Sequence, residues 1–258
     1  MKIKFLGVGS GLSTGLGNTS FVVNDKVLVD CGFTVPEALK KYDLLDKIEA
    51  VIITHIHSDH VGGLEMLGFY NYFVRKERIE LTAPPKLLKP LWKNCLKGGM
   101  RHIQNQHGAP LKATLSTYFD AATSRGHALG KSVVQEYLVF RFNTTPHVPE
   151  KESYCLSIED SSRTRQAKNG HLVYYSSDTS SVNVEEIKDH ALTFHDCQLF
   201  HTGKGDVHTS YKRLLKEVPD ELKNRVWLVH YGDADQAAAL KKDCPFAGFV
   251  KPGQEFNI

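Results

Sequence analysis

Six consecutive residues, His55-Ile56-His57-Ser58-Asp59-His60, carry three imidazoles and one carboxylate. These are the donors that Zn²⁺ and its first-row neighbours accept. The apolar run Ala50-Val51-Ile52-Ile53-Thr54 leads directly into them and reads as a buried strand. The six residues therefore sit where a strand ends and the chain turns. Such a turn can fan the side chains into two sets, with His55 and His57 facing one ion and Asp59 and His60 facing a second. A helix is expected to follow from Gly62 to about Val74.

A centre for two ions needs more donors, and three other places repeat the pattern of strand followed by ligand. His147 comes after the alternating run from Val133 to Phe142. Asp178 follows Leu172-Val173-Tyr174-Tyr175, and His230 follows Val226-Trp227-Leu228-Val229. A lone His after a strand is more often a hydrogen-bonded loop residue than a ligand. Together they are strand ends with one chemistry in common, and they point to one cleft. Asp196 lies in Thr193-Phe194-His195-Asp196-Cys197-Gln198. His208 opens a helix expected over 209–217.

The order HxHxDH, then His, Asp and His, resembles the metallo-β-lactamase superfamily over most of the chain, from Lys2 to about Gly232. That resemblance implies an α/β fold, a four-layer αββα sandwich with the site at one edge. It implies that His55, His57 and His147 hold one ion, that Asp59, His60 and His230 hold another, and that Asp178 bridges them. Val27-Leu28-Val29-Asp30-Cys31-Gly32 also matches, which gives Asp30 the task of orienting ligands through hydrogen bonds. The glycine-rich opening, Phe5-Leu6-Gly7-Val8-Gly9-Ser10-Gly11 and then Gly17-Asn18-Thr19-Ser20, is similar to that of the tRNase Z-like phosphodiesterases. It lacks the glycine spacing of a dinucleotide fingerprint. His195-Asp196 and His208-Thr209-Ser210 resemble that branch's proton-donating pair, with Asp196 one methylene shorter than the usual Glu. The catalytic set carried over by the resemblance is Asp59, Asp196 and His208.

Two cations about 3.5–4 Å apart lower the pKa of bound water and clamp both oxygens of an in-line displacement at phosphorus. A phosphodiesterase is therefore expected, with two divalent metal ions, Zn²⁺ foremost and Mn²⁺ the alternative. A thioester or lactone hydrolase of this fold would not need Asp196 and His208. Non-catalytic relatives usually lose ligands, and all seven are present here. No glycine- and proline-rich arm for gripping tRNA is visible. The resemblance extends to the phage-encoded anti-Pycsar enzymes, compact chains that degrade cyclic pyrimidine nucleotide signals. A small cyclic mononucleotide is thus favoured as substrate over RNA. The alternative is a tRNase Z-like endoribonuclease that processes tRNA 3′ ends. Tyr118 and Phe119 could stack on a base, or simply pack in the core. The resemblance also implies a homodimer.

Composition agrees with these readings. At 258 residues and 41% hydrophobic, the chain suits one domain with a sizeable core. No apolar stretch approaches the roughly 20 residues of a membrane span. The start, Met1-Lys2-Ile3-Lys4-Phe5, enters a strand without a signal peptide's apolar segment. Five scattered cysteines form no CxxC pair, so reduced thiols and a cytoplasmic setting are expected, the host's cytoplasm if phage-encoded. The net charge of +3 does not by itself mark a nucleic-acid binder. A basic run from Arg75 to Arg101 either solvates a surface or rims the site, and a helix is expected over 86–96. Residues 98–131 are the least patterned, and a lid or an interface is expected there. Strands are expected over 132–142, 154–160, 171–175, 191–200 and 225–229, helices near 183–189 and 234–241, and a hairpin tip over 161–170.

Overall fold

Short apolar runs punctuated by turns build two sheets. The computed structural model describes residues 1–105, 107–123, 132–135, 138–160, 171–199 and 206–258. The first half gives β1 (Lys2–Gly7), β2 (Ser20–Val23), β3 (Val27–Val29), β4 (Ala50–Ile52) and β5 (Ile79–Ala83). A small hairpin follows, β6 (His102–Gln104) with β7 (Pro110–Lys112), and then β8 (Phe119–Thr123). The second half gives β9 (Ser132–Gln135), β10 (Leu138–Thr144), β11 (Tyr154–Asp160), β12 (His171–Tyr175), β13 (Leu192–Asp196), β14 (Val226–Val229), β15 (Gly248–Phe249) and β16 (Glu255–Asn257).

One sheet runs β16-β1-β2-β3-β4-β5-β8 and the other β15-β14-β13-β12-β11-β10-β9. Each changes from antiparallel to parallel pairing part-way. β3, β4, β5 and β8 are parallel in the first sheet, and β12 to β15 are parallel in the second. β3 and β4 are wholly buried, which is why they read as unbroken Val/Leu/Ile rather than alternating. The inner faces meet through aromatic rings. Phe5 of β1 lies 4.7 Å from Phe194 of β13, and Phe21 of β2 lies 5.2 Å from Tyr175 of β12, both edge-on. Helix Val35–Lys41 packs on β1 and helix Val184–Asp189 on β12, which makes the outer layers of an αββα sandwich.

The structure refines several expected boundaries. Helical backbone begins at Ser58, inside the donor-rich turn, and continues through Leu64–Phe69 and a wider turn to Arg75. It stops where Lys76 adopts φ 61°. The expected single strand over 132–142 is instead two antiparallel strands, with Val139 opposite Val133. No glycine or proline falls between the two apolar-rich runs, so the sequence carries no turn signal for the reversal. The strand expected to reach 200 ends at Asp196, and the chain then leaves the sheet. Over 98–131, the described residues form the β6–β7 hairpin, a short helix Leu115–Tyr118 and β8, which joins the first sheet beside β5. Residues 124–131 and the expected hairpin tip over 161–170 lie outside the described residues. All five cysteines are free, and no helix among the described residues is long and apolar enough to cross a membrane.

Phe194 is fully buried and touches Phe5, Phe21 and Phe256. Truncating it opens a void between the sheets. Phe194→Ala is expected to lower stability by about 3–5 kcal/mol in denaturant unfolding. A loss under 1 kcal/mol would contradict this account of the interface.

Candidate metal centre

Every candidate donor follows the end of a strand, and three of the corners depend on left-handed backbone. Asp30 (φ 58°) follows β3, His230 (φ 61°) follows β14, and Ser177 (φ 52°) lies between β12 and Asp178. Non-glycine residues in that region cost roughly 1–3 kcal/mol each, and such strain collects at functional sites. Gly32 is needed for a different reason. A Cβ there would collide with the Asp59 carbonyl, so the donor-rich turn can pass this close only over glycine.

All seven expected ligands come together in two groups that share Asp178. His55, His57, His147 and Asp178 form the first, and Asp59, His60, Asp178 and His230 the second. An ion with tetrahedral bonds of about 2.0–2.1 Å holds its donors about 3.3–3.4 Å apart. In the first group, His57 Nδ1 lies 3.2 Å from His55 Nε2 and 3.1 Å from His147 Nε2. Asp178 Oδ2 is 3.6 Å from His55 Nε2 and 3.8 Å from His147 Nε2. In the second, His230 Nε2 is 3.3 Å from both Asp59 Oδ2 and Asp178 Oδ2, and His60 Nε2 is 3.3 Å from Asp178 Oδ1.

Hydrogen bonds on the far side of the rings leave lone pairs aimed at the centre. His147 Nδ1 donates to the Val207 carbonyl at 2.7 Å, so its Nε2 carries the lone pair. His55 Nδ1 lies 3.1 Å from Thr54 Oγ1. Thr54 Oγ1 donates to Asp30 Oδ2 at 2.8 Å and accepts from Ser177 Oγ at 2.8 Å. His60 Nδ1 meets Asp30 Oδ2 at 2.8 Å, and the Thr54 backbone N–H donates to Asp30 Oδ1 at 2.9 Å. Asp30 is thus a buried carboxylate bonded to His60 in one candidate set and, through Thr54, adjoining His55 in the other. His60 Nε2 and Asp178 Oδ1 are buried with no hydrogen-bond partner. Buried polar atoms of this kind need a partner, and a divalent cation supplies one to both.

Electrostatics separates the two groups. Burial pushes the His55 imidazole well below its ordinary value, and burial together with His147 takes His57 down to about 4. Burial also lowers His147. These rings are neutral and ready to ligate. Burial opposes charge on His60 and His230 as well, yet Asp178 and Asp30 hold His60 well above the usual range. Asp178, Asp196 and Asp59 raise His230 to about 10. Burial opposes ionisation of Asp59 and Asp178, and the surrounding imidazoles keep both carboxyls low.

Asp196 and His208 also meet. His208 Nδ1 lies 2.8 Å from Asp196 Oδ2, and Asp196 Oδ1 is 3.4 Å from His230 Nδ1. The shorter carboxylate therefore reaches both rings. His208 lines a cavity of about 440 Å³ over the donors, with Leu12, Gln198 and Gly232 on its walls. Sequence reasoning missed Thr54, Ser177 and Gln198, which are polar residues beside the motif and carry no distinctive spacing. Tyr118 and Phe119 are fully buried, and the Tyr118 hydroxyl donates to the Met100 carbonyl. They are core residues rather than a base platform. In the basic run, Arg75 pairs with Glu77, Arg78 with Asp120 and Lys86 with Glu152, so much of its charge is met locally.

A family model described as anti-Pycsar protein Apyc1 matches residues 1–256. The chain belongs to that family. It is 37% identical over 244 residues to the anti-Pycsar protein Apyc1 of Bacillus phage BSP38, covering 90% of this chain and 89% of that protein. Among solved structures, the metallo-β-lactamase fold protein YhfI from Bacillus subtilis superposes with a TM-score of 0.69 at 18% identity, covering 99% of this chain and 98% of that one. The short form of human tRNase Z gives 0.69 at 19% identity, covering 100% and 99%. The anti-Pycsar chain therefore has the metallo-β-lactamase fold. That fold and its His/Asp clusters together support a metal-dependent hydrolase.

Removing Asp30 should release His60 and Thr54 without deleting a ligand. Asp30→Ala is expected to weaken metal affinity about 10- to 100-fold in chelator competition. Unchanged affinity in a folded variant would show that these bonds do not position the ligands.

Proposed function

We propose that this anti-Pycsar family member is a phosphodiesterase that hydrolyses cyclic mononucleotides, cyclic pyrimidine nucleotide signals among them. The observation that carries the reading is the Asp196 carboxylate, placed between a candidate ligand, His230, and a ring on the cavity wall, His208. The name of the family and the cavity volume support a small nucleotide over RNA. A cavity of about 440 Å³ falls within the range that small ligands occupy.

The groups divide as the resemblance implied. His55, His57 and His147 hold one divalent ion, Asp59, His60 and His230 a second, and Asp178 both. Zn²⁺ suits this donor set best and Mn²⁺ next. When bound, two such ions supply an activated water and positive charge for the phosphoryl oxygens. The chain's own residues do the rest. Asp196 occupies His208 Nδ1, which leaves Nε2 as the nitrogen available to substrate. Burial works against charge on His208, but Asp196 raises its pKa above the ordinary value. A raised pKa favours the protonated ring, the state required to give a proton to the departing alkoxide. Asp196 keeps that ring oriented and stays ionised itself. The proposal includes a homodimer working in the cytoplasm.

Three measurements test the reading. Elemental analysis is expected to find two divalent ions per chain, and chelation to abolish turnover. His208→Ala should reduce kcat on a cyclic mononucleotide by about 10²–10⁴-fold with metal content unchanged. A panel of cyclic mononucleotides and precursor tRNA, run with and without chelator, decides the substrate. Cleavage of the tRNA with the cyclic nucleotides left intact would replace this proposal with 3′-end processing.

A further inference from the structure

We propose that Gln198 is a sugar-reading residue whose side-chain amide accepts a hydrogen bond from the ribose 2′-hydroxyl of the bound nucleotide. The inference rests on the cyclic-nucleotide reading above and deepens it.

Gln198 lines the same cavity as His57, His147, His208 and His230. Its backbone is clamped on both sides. The Gln198 N–H donates to the Thr209 carbonyl at 2.7 Å, and the Tyr211 N–H donates to the Gln198 carbonyl at 3.0 Å. These bonds tie it to the segment that carries His208. Its side-chain oxygen is buried and has no hydrogen-bond partner among the described residues. Leaving such an acceptor unpaired is unfavourable.

The other unpaired atoms near the donors have an account already. His60 Nε2 and Asp178 Oδ1 face the ion sites, and Asp196 Oδ1 approaches His230. Gln198 is the unpaired group on this wall that the metal centre does not explain. Each donor group already has four members without it. A ligand hydroxyl on this wall would supply the donor in place of water.

The chemistry of the substrate selects which donor. With the phosphodiester over the cations, the nearest hydroxyl is the 2′-OH, on the carbon beside the one bearing the 3′-oxygen of the diester. Base amino and imino groups lie farther out, across the sugar. An amide beside His208 meets the sugar first. The 2′-OH donates to the side-chain oxygen, and no bond to phosphorus is altered by the contact.

The test compares a 3′,5′-cyclic ribonucleotide with its 2′-deoxy analogue, in wild type and in Gln198→Met, which keeps the volume and removes the amide. Binding is measured by calorimetry on the metal-loaded protein with non-hydrolysable phosphorothioate forms, and turnover with the natural diesters. Wild type is expected to bind the ribose form roughly 3- to 10-fold more tightly than the deoxy form, and Q198M to bind both equally. Metal content and Tm of Q198M report that the site is intact. Equal binding of the two sugars by wild type overturns the inference, as does a Q198M variant that keeps the preference. Wild type that discriminates the sugars and does not hydrolyse the diester would instead defeat the phosphodiesterase reading and leave the sugar contact standing.

Discussion

A buried carboxylate, Asp178, joins the two halves of the site. It lies within 4 Å of His55, His60, His147 and His230, which come from strand ends in both sheets. An ionised carboxylate in the interior is costly unless it is paired. Here the pairing groups are imidazoles, several of them held neutral by burial. The arrangement is satisfied either by protons on His60 and His230 or by cations between the rings. Metal and proton thus compete for the same nitrogens, as general metal–ligand chemistry requires. The two sheets must keep their mutual position for Asp178 to reach both groups. That links the aromatic packing between β1–β2 and β12–β13 to the site at their ends.

The site is also strained where it needs to be. Asp30, Ser177 and His230 take left-handed backbone just past parallel strands, and each turns a polar group inward. Asp30 turns its carboxylate under Thr54 and His60. Ser177 turns its hydroxyl to Thr54 and passes the chain on to Asp178. These corners act together, because Thr54 Oγ1 touches Asp30, His55 and Ser177 at once. Relaxing either the Asp30 or the Ser177 corner would therefore cost a bond at Thr54 that the other also uses. The flanking strands, buried on both faces, supply the stability that offsets the strain.

Much of this was legible in the sequence, and the physics says why. The metal donors are chemically rare, and each follows an apolar run, so the strand ends at 55–60, 147, 178 and 230 stood out before any coordinates. The four-layer sandwich followed from their order through the family resemblance. Asp30, at the end of Val27-Leu28-Val29, was also visible. What stayed hidden depends on long-range contact or on reversal without a break in pattern. The β9–β10 reversal joins two apolar-rich runs with no glycine or proline to mark it. β8 joins the edge of the first sheet after a stretch with no periodicity of its own. Thr54, Ser177 and Gln198 are ordinary polar residues, and their importance comes from neighbours more than 10 residues away.

The departure of this chain from the usual Glu at position 196 is resolved by geometry. Asp196 ends β13, and the Thr179 N–H donates to its Oδ2 at 2.9 Å. That oxygen also meets His208, while the other faces His230. A side chain anchored so close to the strand has little slack. Even one methylene shorter, the carboxylate hydrogen-bonds His208 at 2.8 Å and comes within 3.4 Å of His230. The consequence is coupling. Charge on His230 and charge on His208 both stabilise the same anion, so a change at the metal centre alters the environment of the proposed proton donor. In the proposed mechanism, metal occupancy and proton donation would meet at this single buried carboxylate.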